Sequence, residues 1–363
     1  MTVVRIDPLI DPRWDGFANA HPSATVYHLA AWARIFEESY RYTPRYLALE
    51  DPSGQLLAIM PLMQRRTLRG HALRSLPIYE IGGPIGQHRA GEAALMTAAL
   101  SIGQSVHAKT HVGSFVGGLE VDAPGWIAIE GPPVWVLTLP SDADGLTSWA
   151  KGNQRRPLMK ALRHSARVGL RVRESGSDAD LRRFYDMLLA NMRRKHFVNR
   201  TLRQLRLTKE LLTHQGVFRL FVAEYEGKPI AGLISLAFGD TVEALHIAHE
   251  EGTLPLHPHH ALYKYAMNWG LEHGFRRLSF GYAWPESSLG AFKARWGAEP
   301  IPLYSYAWRP GGIPDSVRTP DPVLRAGGAH AAAVGPRRAL SWLWERTPLP
   351  VLRVATDVAR RFL

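Results

Sequence analysis

In the second half of the chain the apolar positions switch between a spacing of two and a spacing of three to four, and the switches lay out an order of elements. Residues 169–173 alternate as a short strand. Ser177-Asp178-Ala179-Asp180 resembles a capping box, after which Leu181, Phe184, Leu188 and Met192 recur at helical spacing to about His196. A second helix is expected over 202–212. Three strand-like runs follow at 217–225, 229–238 and 241–249, separated by the turns Glu226-Gly227-Lys228 and Gly239-Asp240, which predicts an antiparallel meander. Residues 259–273 then read as a helix carrying Leu262, Tyr265 and Trp269 and stopped by Gly274. A strand at 276–283, a short helix at 288–296 with Ser288 as its candidate cap and Gly297 as its stop, and a last strand at 301–308 complete the series.

The first half repeats this order more faintly. A strand near 3–6 precedes a helix around 29–38 and a hairpin over 46–63 that turns at Asp51-Pro52-Ser53-Gly54. A long helix at 91–109 leads to strands at 112–120 and 134–139. Tyr46-Leu47-Ala48-Leu49-Glu50 can be laid over Phe221-Val222-Ala223-Glu224-Tyr225, each followed by a glycine-containing turn and an apolar strand. The expected architecture is α+β and duplicated, with one domain over 1–148 and a second over 149–310. Residues 311–363 form the remainder: a Gly-, Pro- and Ala-rich linker, then a basic tryptophan-bearing stretch at 337–363 expected to be helical and amphipathic.

Composition narrows the class without naming a reaction. With 363 residues, 46% apolar and 21% charged, the chain has the makings of two globular cores and none of the bias of a disordered or fibrous protein. No apolar run reaches the ~18 residues a spanning helix requires, and the first residues lack a signal peptide's regions. A cytoplasmic location is expected, with peripheral contact to an anionic membrane through 337–363 as the one route to a bilayer. The absence of cysteine removes disulfides, thiolate metal sites and cysteine nucleophiles. Forty-four bases against 32 acids leave a formal charge of +12, which implies an anionic partner. Two acid-free runs concentrate the excess: Lys151, Arg155, Arg156, Lys160, Arg163, Arg167, Arg171 and Arg173, then a second from Arg193, Arg194 and Lys195 through Lys209. They suggest a phosphate-binding surface, with Arg155, Arg156, Arg193, Arg194 and Lys195 as the candidate contacts.

Several motifs carry a family resemblance. They are Asn153-Gln154-Arg155-Arg156 with Lys160 and Gly169, Phe184-Tyr185 with Asn191-Met192-Arg193, Val222-Ala223-Glu224 through Ala231, and Pro258 with Leu262-Tyr263. Phe280-Gly281 joins them, the run Gly290-Ala291-Phe292-Lys293-Ala294-Arg295-Trp296-Gly297-Ala298-Glu299-Pro300 is the most specific, and Trp344 to Pro350 adds to them. On these the chain resembles the FemAB-like branch of the GNAT acyltransferases, in particular the FemAB-related proteins found with bacterial exopolysaccharide and exosortase systems. The resemblance implies two tandem GNAT-like domains in which two neighbouring strands splay to admit an acyl donor. It also implies transfer of an aminoacyl group, drawn from aminoacyl-tRNA, onto an amine of a cell-envelope or secondary-metabolite precursor, with no other cofactor.

Within that frame Lys293 is the expected oxyanion stabiliser, following Phe292 as in the Fem-like Phe-Lys pair. His246, on the third meander strand, is a candidate proton acceptor, and Tyr282 a candidate hydrogen-bond donor to substrate. In the first domain Tyr79, Gly82, Gly83 and Pro84 resemble the Gly-Pro loop bordering the acceptor site. Acetyl-CoA-using relatives grip pyrophosphate with a glycine-rich loop at the start of the helix after the splayed strand. Here Thr253-Leu254-Pro255-Leu256-His257-Pro258-His259-His260 has no glycine and two prolines without N–H, which disfavours acyl-CoA. His257, His259 and His260 raise a metal reading, but their broken spacing and lack of a paired acid argue against one. Two rival readings remain: an acyl-CoA-dependent N-acyltransferase acting on an amino sugar or exopolysaccharide intermediate, and a non-catalytic scaffold binding RNA or a membrane surface.

Overall fold

The structure, a computed structural model, describes residues 1–67, 70–76, 81–116, 125–140, 155–194 and 200–312. Their contacts form two compact units, 1–132 with 301–312, and 133–300. The N-terminal unit contains β1 (Thr2–Arg5), α1 (Arg13–Ala20), α2 (Ala31–Tyr40), β2 (Thr43–Pro44), β3 (Leu47–Glu50), β4 (Leu56–Met60), β5 (Met63–Thr67), β6 (Gly70–Arg74), β7 (Ile85–Gly86), α3 (Arg89–Ser105) and β8 (Lys109–Val116). Strand β9 (Ile127–Thr138) crosses the division between the units. The C-terminal unit continues with α4 (Arg155–Arg167), β10 (Arg171–Glu174), α5 (Asp178–Arg194), α6 (Leu202–Thr213), β11 (Phe218–Tyr225), β12 (Lys228–Phe238) and β13 (Thr241–His249). It closes with α7 (Pro258–Glu272), β14 (Arg277–Tyr282) and α8 (Ser288–Arg295), and β15 (Glu299–Trp308) leads back into the first unit.

The architecture is α+β and tandem GNAT-like, as expected, and the internal repeat is visible in the ladders. Strand β1 lies antiparallel to β3, and β3 to β4, with α1 and α2 between β1 and the hairpin. Strand β10 lies antiparallel to β11, and β11 to β12, with α5 and α6 in the same place. The expected boundary between 148 and 149 falls at residues outside those described. Two strands are grouped differently from the expectation because each follows the ladder it joins. Val134, Val136, Leu137 and Thr138 pair with β14 in the C-terminal unit, while Leu303 to Trp308 pair with β8 in the N-terminal one. The stretch 311–363 lies outside the described residues apart from Gly311 and Gly312.

Each unit buries its own core. In the C-terminal unit Phe221, Leu233, Val242, Leu262, Met267, Leu278 and Trp296 are buried together, with α7 laid on the sheet. Each such side chain contributes roughly 1.5–3 kcal/mol by leaving water. The N-terminal core holds two fully buried tryptophans whose indole N–H groups are satisfied. Trp14 Nε1 donates to the His28 carbonyl at 2.7 Å and Trp32 Nε1 to the Val26 carbonyl at 2.8 Å.

His28 itself is buried and neutral. Its Nδ1 accepts the Thr25 N–H at 3.0 Å, and its Nε2 lies 2.9 Å from the Gly83 carbonyl, so the proton sits on Nε2 and is donated there. Burial lowers its pKa to about 4. The unfolded chain therefore takes up a proton near pH 6.5 that the folded unit accepts only near pH 4. Stability from this residue is complete above the higher value and is lost as pH falls through that window, in total on the order of 3 kcal/mol. Urea titrations should show a smaller loss of stability between pH 7.5 and 4.5 in His28→Gln than in the unsubstituted protein. Equal losses would remove His28 as the source.

Candidate active site

Strands β13 and β14 run parallel, but their ladder covers only Thr241 to Glu243 against Arg277 to Ser279. Both continue, β13 to His249 and β14 to Tyr282, so they part beyond that point. A bulge in β13 accompanies the parting: Ser235 pairs with Ala244 and Ile234 with His246, which leaves Leu245 as the extra residue. Such an insertion bends and twists a strand away from its neighbour. Farther along, Asn191 on α5 takes over the work of a missing strand. Its amide Nδ2 donates to the His249 carbonyl at 2.7 Å, and its Oδ1 accepts the His249 N–H at 3.3 Å. On the other side Gly281, the next-to-last residue of β14, has φ +67°, a conformation open to glycine, with its N–H held by Ser279 Oγ at 3.2 Å.

Helix α8 closes this fork. Its cap is Ser287, one residue before the expected Ser288: Ser287 Oγ accepts the Gly290 N–H at 3.0 Å and donates to the Trp284 carbonyl at 2.6 Å. A cap of this kind contributes about 1 kcal/mol. Any side chain at Gly290 would overlap the Trp284 carbonyl, so glycine lets the first turn sit against the preceding loop. Lys293, one turn on, is thereby directed inward and is 2% exposed. Its Nζ donates to the Gly281 carbonyl at 2.9 Å and the Tyr282 carbonyl at 3.0 Å. An ammonium has three donors, and among the described residues the third has no acceptor.

Sequence reasoning missed Glu243, which faces this lysine. It is the last β13 residue on the β14 ladder, opposite Ser279. Burial raises its pKa to about 7, against the opposing effects of the Ser279 hydroxyl and the Lys293 charge. Burial likewise lowers Lys293 to about 7, against the attraction of Glu243. Each charge thus favours the charged form of the other, while burial opposes both. Glu243 is enclosed by protein yet keeps part of its surface accessible, as a group lining a cleft does. The buried Tyr263 hydroxyl is pushed above its ordinary pKa by burial and then by Glu243. The signal in the sequence was a single acid inside the run Val242 to Ala248, whose other residues are apolar except His246.

The structure brings only part of the expected constellation together. Lys293 and Phe292 are adjacent on α8, with the Phe292 ring 5.8 Å from Tyr263 and 5.3 Å from His260. Tyr282 is 41% exposed at the rim, and its main-chain carbonyl holds Lys293. His246 Nε2 accepts from Arg200 Nε at 3.3 Å; burial, and then that guanidinium, hold its pKa well below the ordinary value. Its acceptor nitrogen is thus occupied. Gly82, Gly83 and Pro84 are buried in the N-terminal unit, where the loop is pinned by His28 at the Gly83 carbonyl and by His21 Nε2, 3.1 Å from the Gly86 carbonyl. Arg156 is exposed, while Arg194 is matched to Glu251 at 3.2 Å and Arg193 is half-buried. Tyr79, Lys195 and the Arg155 side chain lie outside the described residues. Among the described residues no three His, Asp or Glu side chains are grouped to hold a metal ion. A cavity of about 410 Å³ in the N-terminal unit is bounded by Arg5, Asp11, Arg13 and Glu50, but Arg13 is already paired with Asp11 and Glu50, and nothing there is poised for proton transfer.

The parted parallel strands are the fork that the resemblance implies, and the comparisons agree with a GNAT-like fold. Residues 152–292 match an acetyltransferase (GNAT) domain. Among solved structures the fold is similar to that of FemX, with a TM-score of 0.62 at 14% identity, covering 85% of this chain and 97% of that one. It is similar also to L-PGS from Bacillus licheniformis, with a TM-score of 0.58 at 13% identity over 87% and 95% of the two chains. A tandem GNAT protein from the clavulanic acid biosynthesis pathway gives 0.51 at 12% identity over 86% and 99%. No curated protein sequence matches the chain. The domain match and these folds support the resemblance to the FemAB-like GNAT branch read from the sequence.

Carbon-13 NMR of the lysine side chains tests the pair directly. One lysine, assigned by its loss in Lys293→Arg, should titrate near pH 7. Because the Glu243 charge raises the Lys293 pKa, Glu243→Gln should move that inflection lower still. Inflections for all lysines near their ordinary value would contradict the burial of this ammonium.

Proposed function

We propose that the chain is an aminoacyltransferase that moves an aminoacyl group from aminoacyl-tRNA to the amine of a cell-envelope or secondary-metabolite precursor. The observation that carries the reading is the Glu243–Lys293 pair at the apex of the β13–β14 fork. The incoming amine attacks the ester carbonyl carbon, and the oxygen that becomes negative is met by the third Lys293 N–H. Glu243, as a carboxylate, takes the proton released by the attacking nitrogen. The carbon–oxygen bond to the ribose then breaks, the ribose oxygen recovers that proton, and an amide remains. Phe292 and Tyr263 keep the fork apolar around these groups, which strengthens each electrostatic contact.

The choice of donor is supported by the start of α7. The N–H groups of Leu256, His257 and His260 are turned onto the carbonyls of Thr253, Leu254 and His257 at 3.0, 2.9 and 3.1 Å, and Pro255 and Pro258 have none. Little main-chain N–H is left there for a pyrophosphate, in keeping with a donor other than acyl-CoA. The rival reading, acyl transfer from acyl-CoA onto an amino sugar or exopolysaccharide intermediate, is favoured by the acetyltransferase description of the matched domain.

Reactions offered charged tRNAs, acyl-CoAs and candidate amine acceptors, read by mass spectrometry, decide between them. Amide formation from charged tRNA is expected, falling about 10²–10³-fold in Lys293→Ala and about 10²–10⁴-fold in Glu243→Gln. The rate should be bell-shaped about pH 7, rising as Glu243 loses its proton and falling as Lys293 loses its own. Turnover of acyl-CoA with none of any charged tRNA would replace the first reading by the second.

A further inference from the structure

Helix α4 carries Arg156, Lys160, Arg163 and Arg167 at steps of four, three and four residues, so all four bases share one exposed face. None has an ion-pair partner among the described residues, and the helix contains no acid. Elsewhere in this unit Arg173 is matched to Asp180 and Glu224, Arg183 to Glu250, Arg219 to Glu174 and Arg277 to Asp240. The opposite face of α4 is spent on the core, with Leu158 and Ala161 buried and Leu162 packed against them. A helix lying in a bilayer surface needs exposed apolar side chains. Apart from the small side chains of Pro157 and Ala166, this one exposes charge, the character of a surface for a phosphate backbone.

A row of rings leads from this face to the fork. His164 on α4 lies 5.5 Å, ring to ring, from His257; His257 lies 5.3 Å from His260; and His260 lies 5.3 Å from Phe292, the neighbour of Lys293. All four rings are partly exposed, and none of the three contacts is a face-to-face stack. Arg167 donates to His164 Nδ1 at 3.2 Å, which fixes the first ring beside the basic stripe. Burial, and then the His257 imidazole and Arg295, lower His260 to about 4, and burial and His164 lower His257 below its ordinary value, so the surroundings favour the neutral form of both rings. Neutral planar rings in series recognise unpaired bases by stacking, and a paired stem cannot use them.

We infer that the α4 stripe and the His164–His257–His260–Phe292 row form a track for RNA with a single-stranded 3′ end: the stripe takes the backbone phosphates of the stem, and the rings lead the unpaired bases to Lys293. This rests on the aminoacyl-tRNA reading and adds the path by which the donor reaches the fork.

The test measures binding of the full chain to two fluorescent RNA hairpins of the same stem, one with a four-nucleotide single-stranded 3′ tail and one blunt. The tailed hairpin should bind about tenfold or more tightly. The double variant His257→Asn with His260→Gln should erase that preference while binding the blunt hairpin as before. His164→Ala, at the exposed end of the row, should reduce it severalfold and guards against a folding defect in the first variant. Lys160→Gln with Arg163→Gln should weaken both hairpins alike and lower the salt dependence by about one per base removed. Equal binding of the two hairpins, a preference that survives both ring variants, or binding to phosphatidylglycerol vesicles in place of either RNA overturns the inference. Turnover of charged tRNA without a tail preference overturns the track and leaves the donor reading intact. A tail preference without turnover of any charged tRNA supports the track and overturns the donor reading.

Discussion

Hydrogen bonding between β13 and β14 stops after Glu243 and Ser279 while both strands run on, and the rest of the C-terminal unit is arranged around that interruption. Parted strands leave main-chain groups without a ladder, a costly condition in a protein interior. The side chain of Asn191 answers it on β13 by taking both the N–H and the carbonyl of His249. On β14 the same need is met by Lys293, which reaches back to the Gly281 and Tyr282 carbonyls. The residue proposed to stabilise the oxyanion is therefore also a structural tie that holds one arm of the fork. Its ammonium is fixed before any substrate arrives, which is what electrostatic stabilisation of a transition state requires.

Burial acts on the two apex groups in opposite directions and brings them to a common range near pH 7. Desolvation disfavours the charged form of each, so the carboxyl rises and the ammonium falls, while their attraction opposes both changes. In the proposed reaction this lets Glu243 be a carboxylate and Lys293 an ammonium in the same pH range. His246 shows why proximity to the fork is insufficient: its acceptor nitrogen is occupied by Arg200, and the nearby guanidinium further disfavours a second positive charge.

The local patterns from 177 onward were legible because they rest on short-range periodicity: the capped α5, the meander β11–β13 and the stop at Gly297 all stand close to where spacing placed them. Lys293 was legible through its motif. Glu243 was not, since an acid in a strand ordinarily reads as a solvent-facing position, and the lysine whose charge acts on it comes from α8, far along the chain. Helix α4 was read as a charge run although Leu158, Ala161, Leu162 and Ser165 keep helical spacing; the density of bases hid a buried face. The grouping of 133–138 and 301–308 depends on pairing between residues more than a hundred apart, which no window along the chain contains.

Net charge of +12 by itself overstates how much positive surface is free, because Arg173, Arg183, Arg194, Arg219 and Arg277 are taken up by carboxylates within the fold. What distinguishes α4 is that, among the described residues, four bases without ion-pair partners share one exposed face of a helix that contains no acid. The approach to Lys293 has the opposite character. There the prolines and inward-turned N–H groups at the start of α7 withhold hydrogen-bond donors from a phosphate, and the surroundings favour the neutral form of the rings beside them. Charge outside and uncharged planar surface inside is a division of labour that suits a ligand whose phosphates stay on the stem while its unpaired bases enter, and it suits a compact pyrophosphate poorly.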